Sequence, residues 1–314
     1  MKHSRPCRSE IRKDYIQDKF VIIAPRRHGR AKASATAAGG CAFCPDSLDI
    51  ERPVLSRGGR KRWRMVVVPN RYPIVSRDNP KAYGVHEVVV ETPRHDVQLE
   101  RQPVRAIADL LRVYAERTKA ILRDPKIEYV LIFKNTSGPA GASLAHPHSQ
   151  IFATDFIPPQ LLDKSEKIFE YRLRRGRCVY CDVIARERRS RRLVYEDRQV
   201  VAFTPFASMH NYELWILPKR HLDNVTELTA AERLSWARAL KLALIAVAKL
   251  GLPYNYYFHQ IRQDEKQHLY MKITPRGSVW AGVEIGSGVI VNPISPEKAA
   301  AFYRRLFVSA RRQR

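Results

Sequence analysis

Three observations predict an α+β fold of two tandem, related halves, each an antiparallel sheet packed with helices. The chain carries one ordered set of motifs twice. Short β-rich runs alternate with longer stretches of helical spacing. Its 314 residues, 45% of them hydrophobic, give room for two domains of ordinary size with a proper core.

The repeat is read outward from two Cys-x-x-Cys pairs. The first copy runs Cys41-Ala-Phe-Cys44, then Val66-Val67-Val68-Pro69-Asn70, then His86 to Val90 and Thr92-Pro93-Arg94-His95, and closes on His146-Pro147-His148-Ser149-Gln150. The second runs Cys178-Val-Tyr-Cys181, then Val200 to Pro205, then Tyr212 to Pro218 and Lys219-Arg220-His221, and closes on His268-Leu269-Tyr270-Met271-Lys272. Order and rough spacing agree, so an internal duplication divides the chain into residues 1–170 and 171–314.

Within each half, Val85–Glu91 and Glu213–Pro218 read as strands bounded by proline. Arg101–Asp124 and Thr229–Gly251 read as helices, the second opened by a capping box, Thr229-Ala-Ala-Glu232. Tyr129–Phe133 and Tyr254–Phe258 read as strands leading to the closing histidines. His146 and His148 are expected on one face of a strand, since side chains repeat every two residues.

The formal charge is +25, a field that draws in anions. The arginine runs lack interleaved aromatics for base stacking, which disfavours a nucleic-acid partner. No segment reads as a membrane span: the longest apolar stretch, Leu240–Leu252, is interrupted by Lys241, Lys249 and Gly251. The polar start of the chain lacks a signal-peptide core, so a cytoplasmic location is expected.

Zinc favours four sulfur or nitrogen ligands in a tetrahedron. Each half offers two cysteines and two histidines: Cys41, Cys44, His95 and His146, then Cys178, Cys181, His221 and His268. Two structural zinc ions per chain are expected, and Cys7 stands outside both sets. The halves differ at one place. If His146 and His268 are equivalent ligands, Tyr270 stands where His148 does, so only the first half keeps an imidazole there. Imidazole attacks phosphorus near neutral pH, which makes His148 the expected nucleophile. The Gly-rich segment Asn135–Ser143 precedes it and suits a phosphate-facing loop. Ser143 and Gln150 are expected at the phosphate, and Arg27 and Arg30 as further phosphate partners.

With these residues assembled, the chain resembles the galactose-1-phosphate uridylyltransferase family of the histidine-triad superfamily. The resemblance runs through Arg12-Lys-Asp14, Pro25-Arg-Arg27, Cys41-x-x-Cys44-Pro45, Val68-Pro-Asn70-Arg-Tyr-Pro73, Phe133-x-Asn135, Gly141-Ala-Ser143, the His-Pro-His-Ser-Gln core, Pro218-Lys-Arg-His221, Gly282-Val-Glu284 and Asn292-Pro293. It implies two histidine-triad-like halves, a homodimer and a ping-pong reaction. His148 would take a nucleotidyl group from a nucleotide sugar and pass it to a sugar 1-phosphate. The resemblance places Gln150 and Ser143 at the phosphate, Asn70 and Asn135 at the nucleotide, and Glu284 at the sugar hydroxyls, supplied across the dimer. Members of the enteric type use a glutamate and a His-x-His strand at the second metal. Here the strand is His268-Leu-Tyr270 and a Cys pair is present, as in relatives with two Cys₂His₂ zincs, among them a plant-type enzyme that moves adenylyl groups to and from phosphate. Val283 stands where the family often has an aromatic residue, and Ser278 where some members have lysine. The leading expectation is uridylyl exchange between glucose 1-phosphate and galactose 1-phosphate. Phosphorolysis of a nucleotide sugar such as ADP-glucose is the alternative, and a nucleic-acid-binding or nucleotide-hydrolysing protein on the same core is the distant one.

Overall fold

The computed structural model describes residues 9–13, 19–25, 40–48, 53–59, 62–136, 138–262 and 267–312. A short hairpin, β1 (Glu10–Lys13) with β2 (Phe20–Ile23), precedes a single ten-stranded sheet. The first half supplies β3 (Leu55–Arg57), β4 (Met65–Pro69), β5 (Gly84–Val90), β6 (Tyr129–Asn135) and β7 (His148–Thr154), in the order β3-β4-β5-β7-β6. The second supplies β8 (Leu193–Glu196), β9 (Val200–Phe203), β10 (Leu214–Pro218), β11 (Tyr254–His259) and β12 (Tyr270–Pro275), in the order β8-β9-β10-β12-β11. The two orders are the same pattern. The halves join where β6 pairs antiparallel with β11, Phe133 opposite Tyr257 and Asn135 opposite Asn255. The duplication read from the motifs thus has a structural counterpart, and the halves share one continuous sheet.

Helices α1 (Val104–Ile121), α4 (Ala230–Lys249) and α6 (Pro296–Arg312) pack against one face of the sheet. Ile107, Leu110 and Tyr114 of α1 and Trp236, Leu240 and Leu244 of α4 meet Val89, Ile132, Ile151, Ile216, Met271 and Ile273 in one core that crosses both halves. The capping box expected at the start of α4 is present: Thr229 Oγ1 accepts from the Glu232 N–H, and Glu232 accepts from the Thr229 N–H at 2.8 Å. Helix α2 (Pro159–Arg175) bridges the halves and ends on Gly176, whose φ of 70° supplies the left-handed cap. It is followed by α3 (Val179–Glu187), which begins inside the second Cys-x-x-Cys. A one-and-a-half-turn helix, α5 (Gly282–Ser287), comes between β12 and α6. Among the described residues, no helix is long and apolar enough to cross a membrane.

Two small clusters cover the other face of the sheet. Trp63, Val66, Val88 and Val90 pack with Phe43 beside the first Cys pair. Tyr180, Phe203, Leu217 and Tyr270 pack with Ile168 beside the second. The strand expected to carry both His146 and His148 begins at His148, and His146 sits in the bend before it. Pro147 has no N–H to donate to the ladder. Its carbonyl still accepts from the Glu91 N–H at 3.1 Å, which holds the bend against β5. The second half repeats this arrangement, with Tyr270 opening β12 and His268 two residues ahead of it.

Candidate active site

Strand β7 divides its side chains between two environments. Ser149, Ile151 and Ala153 face the helices, where Ser149 Oγ accepts from the Tyr114 hydroxyl at 2.7 Å. His148 and Gln150 face the side that carries the Cys pairs. The His148 ring lies 5.0 Å from that of Phe43, one of the two residues between the cysteines of the first pair.

The His148 imidazole is held in a defined state. Its Nδ1 is 2.8 Å from the carbonyl oxygen of His146, a group that only accepts, so Nδ1 carries the proton. In the neutral ring Nε2 then keeps its lone pair. From the helix side, the Lys134 ammonium donates to the His148 carbonyl at 3.1 Å and to Glu91 Oε2 at 2.7 Å. The two side chains of this ion pair are 1% and 0% exposed. An open cavity of about 440 Å³, lined in part by Gln98, Lys134, Asn135, His148 and Tyr254, ends at this strand.

The loop from β6 to β7 is tightly wound. Gly138 and Gly141 adopt φ of 68° and 87°, which favour glycine. The Gly141 N–H donates to Gly138 and the Ala142 N–H to Thr136, both at 2.9 Å. Ser143 is half-buried in this loop, three residues before His146. Asn255, from the second half, donates to Asn135 Oδ1 at 2.8 Å and to the Ala140 carbonyl at 2.7 Å. One amide thus orients Asn135 and anchors the loop. Asn70 lies just past β4, and its Nδ2 donates to Gln150 Oε1 at 3.4 Å.

The structure brings Asn70, His148 and Gln150 together on one face, with Asn135 and Ser143 at the end of the strand. Glu284 is placed elsewhere within the chain. Its helix α5 is moored to the second half by Trp280 stacked on His210, centroids 5.4 Å apart, and by Asn292 Nδ2 bonded to the carbonyls of Ser208 and His210. The Glu284 carboxylate accepts from the Ala281 N–H at 3.0 Å. Arg27 and Arg30 lie outside the described residues.

Both groups of cysteines and histidines converge. Cys41, Cys44, His95 and His146 place their ligand atoms within 4.8 Å of one another, as do Cys178, Cys181, His221 and His268. The details repeat. His146 Nε2 donates to the Thr92 carbonyl at 2.8 Å and His268 Nε2 to the Pro218 carbonyl at 2.9 Å, so each ring turns Nδ1 inward. Fixing the far nitrogen on a carbonyl is how proteins aim a metal-binding imidazole. Burial pushes His146 below the ordinary histidine range, which keeps it neutral. Burial, and next the charge of Cys41, push the Cys44 thiol up, so two thiolates there call for a cation. The donor sets fit a tetrahedral S₂N₂ ion such as zinc.

The second half has no imidazole at the position of His148. Tyr270 is stacked among His259, Trp215 and Tyr180, with centroids at 4.4, 4.8 and 5.0 Å. Lys164 of α2 donates to its hydroxyl and lies 4.4 Å above its ring. Burial, with the Lys272 ammonium, pushes Lys164 down to about 7. Rings and a lysine thus surround Tyr270 where the first half has His148.

Three residues important to this geometry were not among the expected site residues: His86, Lys134 and Asn255. His86 lies in β5 diagonal to Gln150, and its Nε2 is 2.9 Å from Gln150 Oε1. Strand register, which the sequence alone leaves open, brings each of them to the site.

Residues 75–158 match the family model described as the galactose-1-phosphate uridyl transferase N-terminal domain. An ADP-glucose phosphorylase from Arabidopsis thaliana is 31% identical over 95% of this chain and 93% of its own length. A galactose-1-phosphate uridylyltransferase from Thermotoga maritima is 29% identical over 93% and 96%. A solved uridylyltransferase, 30% identical, superposes with a TM-score of 0.83 over 96% of this chain and 99% of its own. Likeness over nearly the full length of both chains, together with the matched family model, shows the family: the chain belongs to the galactose-1-phosphate uridylyltransferase family of nucleotidyltransferases.

Proposed function

We propose that the chain is a UDP-glucose–hexose-1-phosphate uridylyltransferase that works by a ping-pong reaction through His148. The observation that carries this reading is the tautomer of His148, Nδ1–H on the His146 carbonyl at 2.8 Å and Nε2 with its lone pair. Nε2 attacks the α-phosphorus of the nucleotide sugar, the bond to the β-phosphate oxygen breaks, and sugar 1-phosphate leaves. A second sugar 1-phosphate then attacks the same phosphorus, and the electron pair of the N–P bond returns to Nε2. The Nδ1–H bond to a carbonyl steadies the positive charge that the ring bears while phosphorylated. Gln150 and Ser143 donate to the phosphoryl oxygens, Asn70 and Asn135 hold the nucleotide, and Arg27 and Arg30 offset phosphate charge.

Two zinc ions per chain, on the two Cys₂His₂ sets, would hold the Cys knuckles to the sheet and contribute folding energy. The chain works as a homodimer in this reading. Val279, Ile285 and Val289 are 87%, 75% and 63% exposed around α5, an apolar surface suited to a second copy that would receive Glu284 at its sugar site. Cysteines disposed as ligands accord with a reducing, cytoplasmic setting.

A second reading is phosphorolysis of ADP-glucose. It is favoured by the Cys pair and His268-Leu-Tyr270 of the second metal set and by the likeness to the Arabidopsis phosphorylase. Product analysis separates the two. UDP-glucose with galactose 1-phosphate is expected to yield UDP-galactose and glucose 1-phosphate. Turnover only with ADP-glucose and phosphate would overturn the first reading in favour of the second.

A further inference from the structure

We propose that His86 is a positioning residue for Gln150, and that its ring decides which end of the Gln150 amide faces the reacting phosphate. The inference rests on the reading of His148 as nucleophile and Gln150 as phosphate donor.

An amide side chain presents a donor on one end and an acceptor on the other, and a half-turn exchanges them. A phosphoryl group on His148 carries non-bridging oxygens that need donors. Gln150 helps only if its NH₂ end is turned to them. With the amide reversed, oxygen would face oxygen.

The surroundings of Gln150 fix this choice through two short chains of hydrogen bonds. His86 is 5% exposed on β5. Its Nδ1 accepts from the Ile74 N–H at 3.3 Å, and a backbone N–H can only donate. The proton of the neutral ring therefore sits on Nε2. Nε2 lies 2.9 Å from Gln150 Oε1 and donates to it. Asn70 gives the same result by another route. Its Oδ1 accepts from the Tyr72 N–H at 2.9 Å, so Nδ2 is the end turned toward Gln150 Oε1 at 3.4 Å. Asn70 Nδ2 also lies 3.1 Å from His86 Nε2. With Nδ1 already accepting from Ile74, the ring has no second lone pair to offer, so this approach is that of two N–H groups sharing one acceptor, and two donors converge on Oε1. Reversing the Gln150 amide would set its NH₂ against both. The NH₂ end is thereby held away from His86 and Asn70, on the strand face it shares with His148. Oriented dipoles that need no rearrangement as charge develops are the main source of electrostatic catalysis.

His86 belongs to neither Cys₂His₂ set. A histidine buried merely to fill space would be replaceable by an apolar ring. The polar role described here would not survive that replacement.

The test is single-turnover transfer to His148 with UDP-glucose, or with ADP-glucose if that is the donor the wild-type chain uses. Wild type, His86→Phe, His86→Gln, Gln150→Ala, His86→Phe/Gln150→Ala and His148→Ala are compared at matched zinc content and far-UV dichroism. His86→Phe keeps ring volume without the Nε2 donor and is expected to slow transfer by about 10–100-fold, the range seen when a hydrogen-bond partner that orients a metal ligand is removed. The donor KM should change little. His86→Gln, which restores a side-chain donor, should recover part of the rate. The double variant should be no slower than Gln150→Ala, because His86 acts through Gln150. Transfer by His86→Phe within twofold of wild type would overturn the inference, as would losses that multiply in the double variant. If His86→Phe fails to fold, His86→Gln and its combination with Gln150→Ala supply the same cycle. Activity in His148→Ala would overturn the transfer chemistry itself, whereas an inactive His148→Ala beside an undiminished His86→Phe removes only the role of His86.

Discussion

Replacing Lys134 by methionine is expected to destabilise the fold by about 3–5 kcal/mol, the cost of breaking a buried ion pair from one side. The pair is sealed. Lys134 and Glu91 side chains are 1% and 0% exposed and meet at 2.7 Å. Glu91 Oε1 already has no hydrogen-bond partner, so losing Lys134 leaves a buried carboxylate without compensation. Unfolding entropy of about 2.1 cal/mol/K per residue gives roughly 0.7 kcal/mol/K for a chain of 314 residues, so the single variant should melt about 5–8 °C lower. Glu91→Gln should also lose stability, by stranding the ammonium. The double variant Lys134→Met/Glu91→Met removes both charges and should recover most of the loss, because a buried pair contributes little against an apolar pair of similar size. Yet it lacks the donor at the His148 carbonyl, so its transfer rate should stay low while its melting temperature returns. Calorimetry on zinc-replete protein measures the first quantity and single-turnover transfer the second. A Lys134→Met melting temperature within about 1 °C of wild type, or a double variant as unstable as the single, would show that the buried pair does not carry this stability.

Elemental analysis after mild purification should find two zinc equivalents per chain, and Cys178→Ser should lose one of them while the other remains; one equivalent in wild type would count against the second set. Glu232→Gln should destabilise by about 1–2 kcal/mol at pH 7, because it weakens the capping box and the ion pair to Arg220. Burial alone would push Glu232 up, but the Arg220 guanidinium and Thr229 outweigh it and hold the carboxyl below the ordinary range. A depressed carboxylate stabilises above its unfolded pKa and loses that contribution as pH falls through the folded one, so the gap between wild type and variant should close below about pH 4 in denaturant titrations. A gap unchanged from pH 7 to pH 3 would disprove that assignment.

The metal sets were legible because Cys-x-x-Cys is a strong local signal and the chain states it twice, each time with two histidines in the same order. The candidate nucleophile was picked out by subtraction, since Tyr270 stands where the first half keeps an imidazole. Helices α1 and α4 and strands β5, β6, β10 and β11 fell where periodicity put them, within a few residues. The continuous sheet was not legible, because β6 and β11 carry nothing in their apolar pattern to say that they pair with each other rather than end two separate sheets. Nor was α2, whose arginine-rich sequence reads as a solvated run although Lys164 and Ile168 reach the second half's cluster. His86, Lys134 and Asn255 were missed for one reason. Each acts on a residue in a neighbouring strand or loop, and such a relation exists only once the register is set.

Ping-pong transfer requires a covalent nucleotidyl group on His148. Incubating the protein with UDP-glucose in the absence of any acceptor, then measuring intact mass and mapping the modified peptide under mildly alkaline conditions, detects that group. A uridylyl-sized adduct on His148 is expected, discharged by galactose 1-phosphate and missing from a folded, zinc-replete His148→Ala. Sugar exchange that proceeds in His148→Ala, or wild-type turnover with the adduct confined to another residue, would contradict it.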